Sequence, residues 1–339
     1  MLNGEKNEEI ILNEFLNEKF DIEDFLEEKY KKYKMVFKII IICFSIIIII
    51  IHFSIKIKKK RTLPSESFEP PKPQQPLIIK SPIKIIWHEP LVNLYIITHK
   101  DFKNNVITNP AYKILCDQKT QLTRNYSLEI IEANKESNII YPKRKGYAEG
   151  AKIYPIWKLY KDGYIKSKYV GFFHYRRVFP FKNDIPDLDE IFIKYDVIIK
   201  ERYKFSSTTY AQYETYYIAH LLNDSVDIIK EIYPEYYDDA KKFLSKNWGN
   251  YCNIFIAKKE DFIKWGEFVF GVLLEFDRRY NLTTDDDIQN LLIKESKEAE
   301  TKFDIDYQTK VQGFLMERIG NIFYEHYWKK RYELKTVDI

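Results

Sequence analysis

The sequence predicts an α/β fold, a three-layer domain with a mostly parallel sheet, and three observations predict it. Short apolar runs of strand length recur after residue 90, as in "LVNLYIITH" (Leu91 to His99), "KYVGFF" (Lys168 to Phe173), "YDVIIK" (Tyr195 to Lys200) and "NYCNIFIAK" (Asn250 to Lys258). Between them lie stretches with helical spacing: Gly150 to Gly163, Thr208 to Tyr233 and Lys259 to Tyr280. Strands that are apolar on both faces and alternate with helices belong to a sheet covered on both sides.

The elements before that domain are of another kind. Residues 1–35 form an acidic segment in which Asn7 to Tyr30 carries apolar residues at helical spacing, an amphipathic helix with a solvated face. From Ile39 to Ile55 seventeen residues pass without a formal charge, bounded by Lys38 and Lys56. At about 1.5 Å per residue this is roughly 25 Å, enough to span the hydrocarbon with snorkelling ends. A single-pass transmembrane helix is therefore expected over 36–57, with the lipid bilayer as a partner. Basic residues flank both sides, so charge does not orient it. Residues 58–90 follow, and Thr62 to Pro90 holds seven of the thirteen prolines, the composition of a semi-rigid extended stalk. The expected setting is the endoplasmic reticulum or Golgi membrane in a eukaryote and the cytoplasmic membrane in a bacterium.

Composition narrows the function of the domain, expected over 91–330. Of 339 residues 45% are hydrophobic and 16% aromatic, ample for a core, and 54 basic against 50 acidic residues give a net charge of +4, too balanced for phosphate-driven nucleic-acid binding. Cys43, Cys116 and Cys252 are far apart and form no metal or disulfide framework. Walker A, GxGxxG, HExxH and GxSxG motifs are absent from the sequence, which disfavours P-loop, dinucleotide, zincin and hydrolase chemistry.

Ligands of open α/β sheets bind beyond the carboxyl ends of strands. The run ending at Phe173 is followed by His174, Tyr175, Arg176 and Arg177, and the first run by His99, Lys100 and Asp101. Paired guanidiniums there suit a diphosphate or a carboxylate; a structural network with helix acids is the competing reading. Glu149 stands just before a helix, as a cap, a first-turn acid or a catalytic carboxylate. His220, Asn223 and Asp224 share a helical face that solvation alone explains. The runs Asp187 to Asp189, Asp285 to Asp287 and Asp304 to Asp306 follow no apolar strand and read as helix caps in preference to metal ligands.

Seven blocks carry a resemblance: "LYIITHK", "YAEGAKIYPIWKLYKDG", "KYVGFFHYRRVF", "YDVIIKERY", "QYETYYIAHLLNDSVDIIKEIYPEY", "NIFIAKKEDF" and "YQTKVQGFLMERI". In this order, from about Val92 to Ile319, the chain resembles the capsular and exopolysaccharide biosynthesis family of glycosyltransferase-like proteins known as domain of unknown function 4422. The resemblance implies a GT-A-like fold, a nucleotide-sugar donor and a glycan acceptor whose hydroxyl receives the sugar. It marks His99, Lys100, His174, Tyr175, Arg176 and Arg177 as donor-binding, and Tyr154, Trp157, Tyr213, His220, Asn253 and Arg318 as acceptor or supporting positions, with Gly313 and Glu317 in the last block. Gly150 and Pro155 interrupt a helix that in the family reads as uninterrupted.

Many GT-A enzymes hold a divalent ion under the diphosphate with D-x-D at a strand end; here the analogous end carries HYRR. The expectation is that Arg176 and Arg177 neutralise the leaving diphosphate, while the need for a divalent metal stays open. An inverting reaction needs a base, for which Glu149 and Glu317 are candidates, then Asp224; a retaining one needs none. A non-catalytic glycan-binding or scaffolding module and a sugar-phosphate transferase are the alternatives.

Overall fold

The computed structural model of the protein describes residues 90–103, 107–133, 139–298 and 304–339. The acidic segment, the anchor and the stalk lie outside the described residues, apart from Pro90. Among the described residues no helix is long and apolar enough to cross a membrane.

Three parallel strands open the domain: β1 (Val92–Ile97), β2 (Tyr112–Cys116) and β3 (Glu129–Glu132). A short helix α1 (Arg144–Tyr147) leads into α2 (Gly150–Lys161), and the chain returns as β4 (Tyr169–His174), parallel to β1. The two-residue β5 (Arg177–Val178), α3 (Leu188–Lys194), β6 (Val197–Lys200) and β7 (Tyr203–Lys204) follow. Then come α4 (Thr209–Tyr216), α5 (Ala219–Ile232), α6 (Tyr237–Leu244), β8 (Trp248–Gly249) and β9 (Phe255–Lys258). The chain ends with α7 (Lys259–Arg279), α8 (Asp285–Glu298), α9 (Ile305–Gln308), α10 (Val311–His326), β10 (Arg331–Leu334) and β11 (Val337–Asp338).

The main sheet runs β10-β6-β9-β4-β1-β2-β3, parallel except that β9 is antiparallel to both neighbours; β5 joins β4 to β11 at its margin. Along β1 the side chains alternate between two cores, as strand geometry requires. Tyr95 and Ile97 pack with Phe172, Val197 and Phe255 under helices α2, α5, α7 and α10, whereas Leu94 and Ile96 pack with Tyr112, Phe173 and Ile256 under Leu188 and Phe192 of α3. Every residue of β1 is buried, which is why the run carries no polar alternation.

Three expectations change. The predicted helix over 208–233 is two, because Tyr217 is extended and turns the chain between α4 and α5. The sheet continues past residue 330: β10 pairs with β6 and β11 with β5. Helix α2 begins at Gly150 and runs through Pro155 without interruption. A β-carbon at Gly150 would lie 2.7 Å from the Met316 sulfur, so the glycine serves the close approach of α2 to α10.

Candidate active site

The carboxyl ends of β1, β2 and β4 and the amino end of the antiparallel β9 meet at one edge of the sheet. Each delivers a polar residue there: His99 after β1, Asp117 after β2, His174 at the end of β4 and Asn253 before β9. Helices α1, α2, α8, α9 and α10 close the other walls of a cleft of about 750 Å³, lined also by Glu149, Lys152, Arg176, Gly313 and Glu317.

Glu149 occupies the cap position of α2, but its side chain makes no capping hydrogen bond. It turns into the cleft, where Asn253 Nδ2 donates to Oε2 at 3.4 Å and His174 Nε2 lies 3.7 Å from Oε1. The residue before it, Ala148, has φ 49° and ψ −114°, a positive-φ conformation that costs a residue with a β-carbon about 1 kcal/mol or more. Burial pushes the Glu149 carboxyl up to about 7, and the neighbouring Glu317 carboxylate adds to the rise. His174 is pushed the other way, to about 4, by burial and by the charges of Arg176, His99 and Arg177. His99 is likewise lowered, first by burial and then by Lys152 and Lys100.

Glu317, on α10, braces the opposite side. Its Oε1 accepts from the Cys252 N–H at 2.8 Å and its Oε2 from Arg318 Nη1 at 3.1 Å. Cys252 and Asn253 both have left-handed backbones, φ 75° and 46°, and this loop is further pinned where Asn321 accepts from the Asn250 N–H and donates to the Asn250 carbonyl. Asparagine tolerates that conformation better than most residues.

The two arginines part company. Arg176 faces the cleft, donates from Nε to His174 Nδ1 at 3.5 Å and stacks its guanidinium 5.3 Å from the Tyr175 ring. Arg177 is exposed on β5, opposite Asp338, and does not line the cleft. Lys100 is exposed and sits 5.7 Å from the Tyr175 ring, and Tyr175 is buried beneath His99 and His174.

Other expected site residues lie elsewhere. Asp224 on α5 accepts a hydrogen bond from the Tyr280 hydroxyl, and His220 pairs with Glu295 at 2.9 Å; neither reaches the cleft. Tyr154 and Trp157 are packed against Phe270, and Trp157 donates to the Ile263 carbonyl. Tyr213 is fully buried under the Arg318 guanidinium, which also bonds the Phe314 carbonyl and Gln212. These side chains brace the wall behind the site.

The cleft also holds residues that sequence reasoning passed over. Lys152, on α2 one helical turn after Glu149, is buried in an ion pair at 2.9 Å with Asp117, which stands at the end of β2; "KILCD" (Lys113 to Asp117) carried that second signal. Asp187 and Asp304 are helix caps, as read from the sequence, but Asp285, Asp286 and Asp306 reach the cleft. Among the described residues no group of three His, Cys, Asp or Glu side chains is arranged to hold a metal ion.

A cleft at the carboxyl edge of a mostly parallel sheet defines the class as an open α/β domain with its ligand site in the usual place. The fold is similar to part of a solved structure, the apo form of WbbM, a bifunctional glycosyltransferase, with a TM-score of 0.54 at 21% identity over 73% of this chain and 45% of that one. The chain thus spans less than half the length of that protein. The chain belongs to the domain of unknown function family DUF4422, whose profile matches residues 93–293. No curated protein matches it.

Proposed function

We propose that the protein is a glycosyltransferase that takes a nucleotide-sugar donor and transfers the sugar to a hydroxyl of a surface or capsular-type glycan. The observation that carries this reading is Glu149, a carboxyl poised near neutrality in a cleft that also presents a guanidinium. As general base, Glu149 takes the proton of the acceptor hydroxyl while that oxygen attacks the anomeric carbon. The bond to the donor diphosphate breaks, and the nucleoside diphosphate leaves with the electron pair. Arg176 faces the position where negative charge grows on the leaving group, and neutral His174 contributes a hydrogen-bond donor without competing for the proton. Such a role for Arg176 does the electrostatic work that a divalent ion does in other enzymes, and the apolar stretch from Ile39 to Ile55 supports an enzyme anchored beside its substrate.

The test is to incubate the purified full-length chain with a panel of nucleotide sugars and follow released nucleotide. Nucleoside diphosphate release from one donor, abolished in Glu149→Gln when a glycan acceptor is present, is the expected result. Nucleoside monophosphate release would make it a sugar-phosphate transferase. Silence over the panel, with glycan binding retained, would make it a binding module.

A further inference from the structure

One wall of the cleft offers chemistry that the donor does not need. Tyr307, on α9, is 47% exposed beside the lining residue Asp306, and its ring lies 5.1 Å from that of Phe314, which also lines the cleft. Tyr217 closes the group, 4.3 Å from Phe314 and nearly parallel to Tyr307, with an interplanar angle of 17°. Tyr216, 56% exposed, extends it outward.

The group is held rigidly. The buried Gln308 donates from Nε2 to the Tyr216 carbonyl at 2.7 Å, tying α9 to the end of α4, and the Arg318 guanidinium backs Tyr217 at 5.3 Å. Phe314 lines the cleft and holds the exposed Tyr307 beside it, and an exposed aromatic ring fixed next to a cleft is a candidate binding surface.

We propose that this aromatic shelf is the acceptor subsite and takes the apolar face of a neutral pyranose ring. The inference rests on the transferase reading and names the position of its second substrate. Three features fit a sugar. Phe314 in the cleft and the exposed Tyr307 offer apolar area to the C–H face of a pyranose, while Asp306 and Lys310, whose flexible ammonium lies 5.5 Å over the Tyr307 ring, accept from and donate to its equatorial hydroxyls. The wall built by α1, α8 and α9 sets the carboxylates of Asp285, Asp286 and Asp306 beside the cations of Arg144, Lys145 and Lys310, a balanced polar lining that suits a neutral glycan. Phe314 and Glu317 are three residues apart on α10, so the shelf lies about 5 Å along the helix axis from the carboxylate pair, and a ring seated there presents a hydroxyl toward Glu149.

The experiment measures equilibrium binding of chitotetraose, cellotetraose and β-1,4-galactotetraose to the full-length chain, without donor, by calorimetry. At least one should bind, about tenfold more weakly to Tyr307→Ala, with recovery in Tyr307→Phe, which keeps the ring. Tyr164→Ala, at a 74% exposed tyrosine just past α2, should bind as the unmodified chain does. Binding by none of the three, or equal binding by Tyr307→Ala, overturns the subsite. Donor hydrolysis run in parallel separates the two claims. Tyr307-dependent glycan binding without any nucleotide release leaves the shelf standing and removes the transferase; nucleotide release with no Tyr307 effect does the reverse.

Discussion

His174 Nε2 stands 3.7 Å from Glu149 Oε1, and the two groups are pushed toward neutrality from opposite sides. Arg176 donates to His174 Nδ1, which makes Nδ1 the acceptor and leaves the ring hydrogen on Nε2, facing the carboxyl. The pair is therefore a neutral imidazole beside a carboxyl that exchanges its proton near pH 7, not a standing ion pair. That is the arrangement a general base requires, because its conjugate acid must form and dissociate in each turnover.

The first consequence is a pH profile. Transfer should rise with pH through a midpoint of about 7, where Glu149 gains its charge, in place of the usual carboxylate range near 4.5. The rate-against-pH curve for the glycan reaction measures it. A midpoint below 5 would remove Glu149 as the base.

The same group acts on stability with a definite sign. Because the folded state raises the Glu149 pKa, its contribution is favourable at pH below the unfolded value and is lost as pH climbs to about 7. Above pH 7 the charged carboxyl costs on the order of 3 kcal/mol, at about 1.4 kcal/mol for each pH unit between the two values. Glu149→Gln should thus raise the melting temperature at pH 8 and leave it nearly unchanged at pH 4, while abolishing transfer. Scanning calorimetry at the two pH values checks it; equal stabilisation at both would refute the assignment.

Arg176 and Arg177, adjacent in sequence, should behave differently. Losing charged hydrogen bonds to a diphosphate costs about 1.5 to 3 kcal/mol, so Arg176→Ala should weaken nucleoside diphosphate binding roughly tenfold to a hundredfold. Arg177→Ala, outside the cleft, should change it less than about threefold. Titrations with nucleoside diphosphates, with and without chelator, measure both; binding that collapses with chelator but ignores Arg176 would assign the diphosphate to a metal instead.

Trp157 was a candidate for substrate contact, but the structure uses it as packing. A β-carbon on Gly266 would come within 2.2 Å of its Cδ1, so α2 and α7 meet at van der Waals distance only because residue 266 has no side chain. Gly266→Ala should destabilise the domain by about 1 to 3 kcal/mol through overpacking. Thermal unfolding should show the loss, and an unchanged melting temperature would mean that the indole moves freely.

What the sequence made legible follows burial. The runs that became β1, β4, β6 and β9 were visible because both faces of the sheet cover them, and the length of α7 because its apolar stripe is long. β3, "EIIE", is an edge strand with two apolar residues, and β10 alternates Arg331, Tyr332, Glu333 and Leu334, so neither carried an apolar signal. The strand-end histidines and Glu149 were legible by position. The acids of α8 and α9 were not, because an aspartate that caps a helix, as Asp304 does, and one that faces the cleft, as Asp306 does, look alike in sequence, and only tertiary packing separates the two uses. Asp224 and His220 failed for the opposite reason: a polar helical face looks alike in sequence whether it meets a cleft or, as here, Tyr280 and Glu295.

Glu317 offers the sharpest separation of structure from electrostatics. Its Oε1 holds the Cys252 N–H and hence the left-handed loop that carries Asn253, while its charge helps raise the pKa of Glu149. Glu317→Ala removes both effects. It should cost about 1 to 3 kcal/mol of stability, from the orphaned N–H and the freed loop, and most of the activity. Glu317→Gln keeps an oxygen in place for the Cys252 N–H and discards only the charge, so stability should return. The rate midpoint should then move below about 7, because Glu149 loses a like-charged neighbour and ionises more readily. Melting temperatures and pH profiles of the two variants together measure this. A Glu317→Gln protein with a normal melting temperature and an unmoved midpoint would show that the two carboxylates do not act on each other.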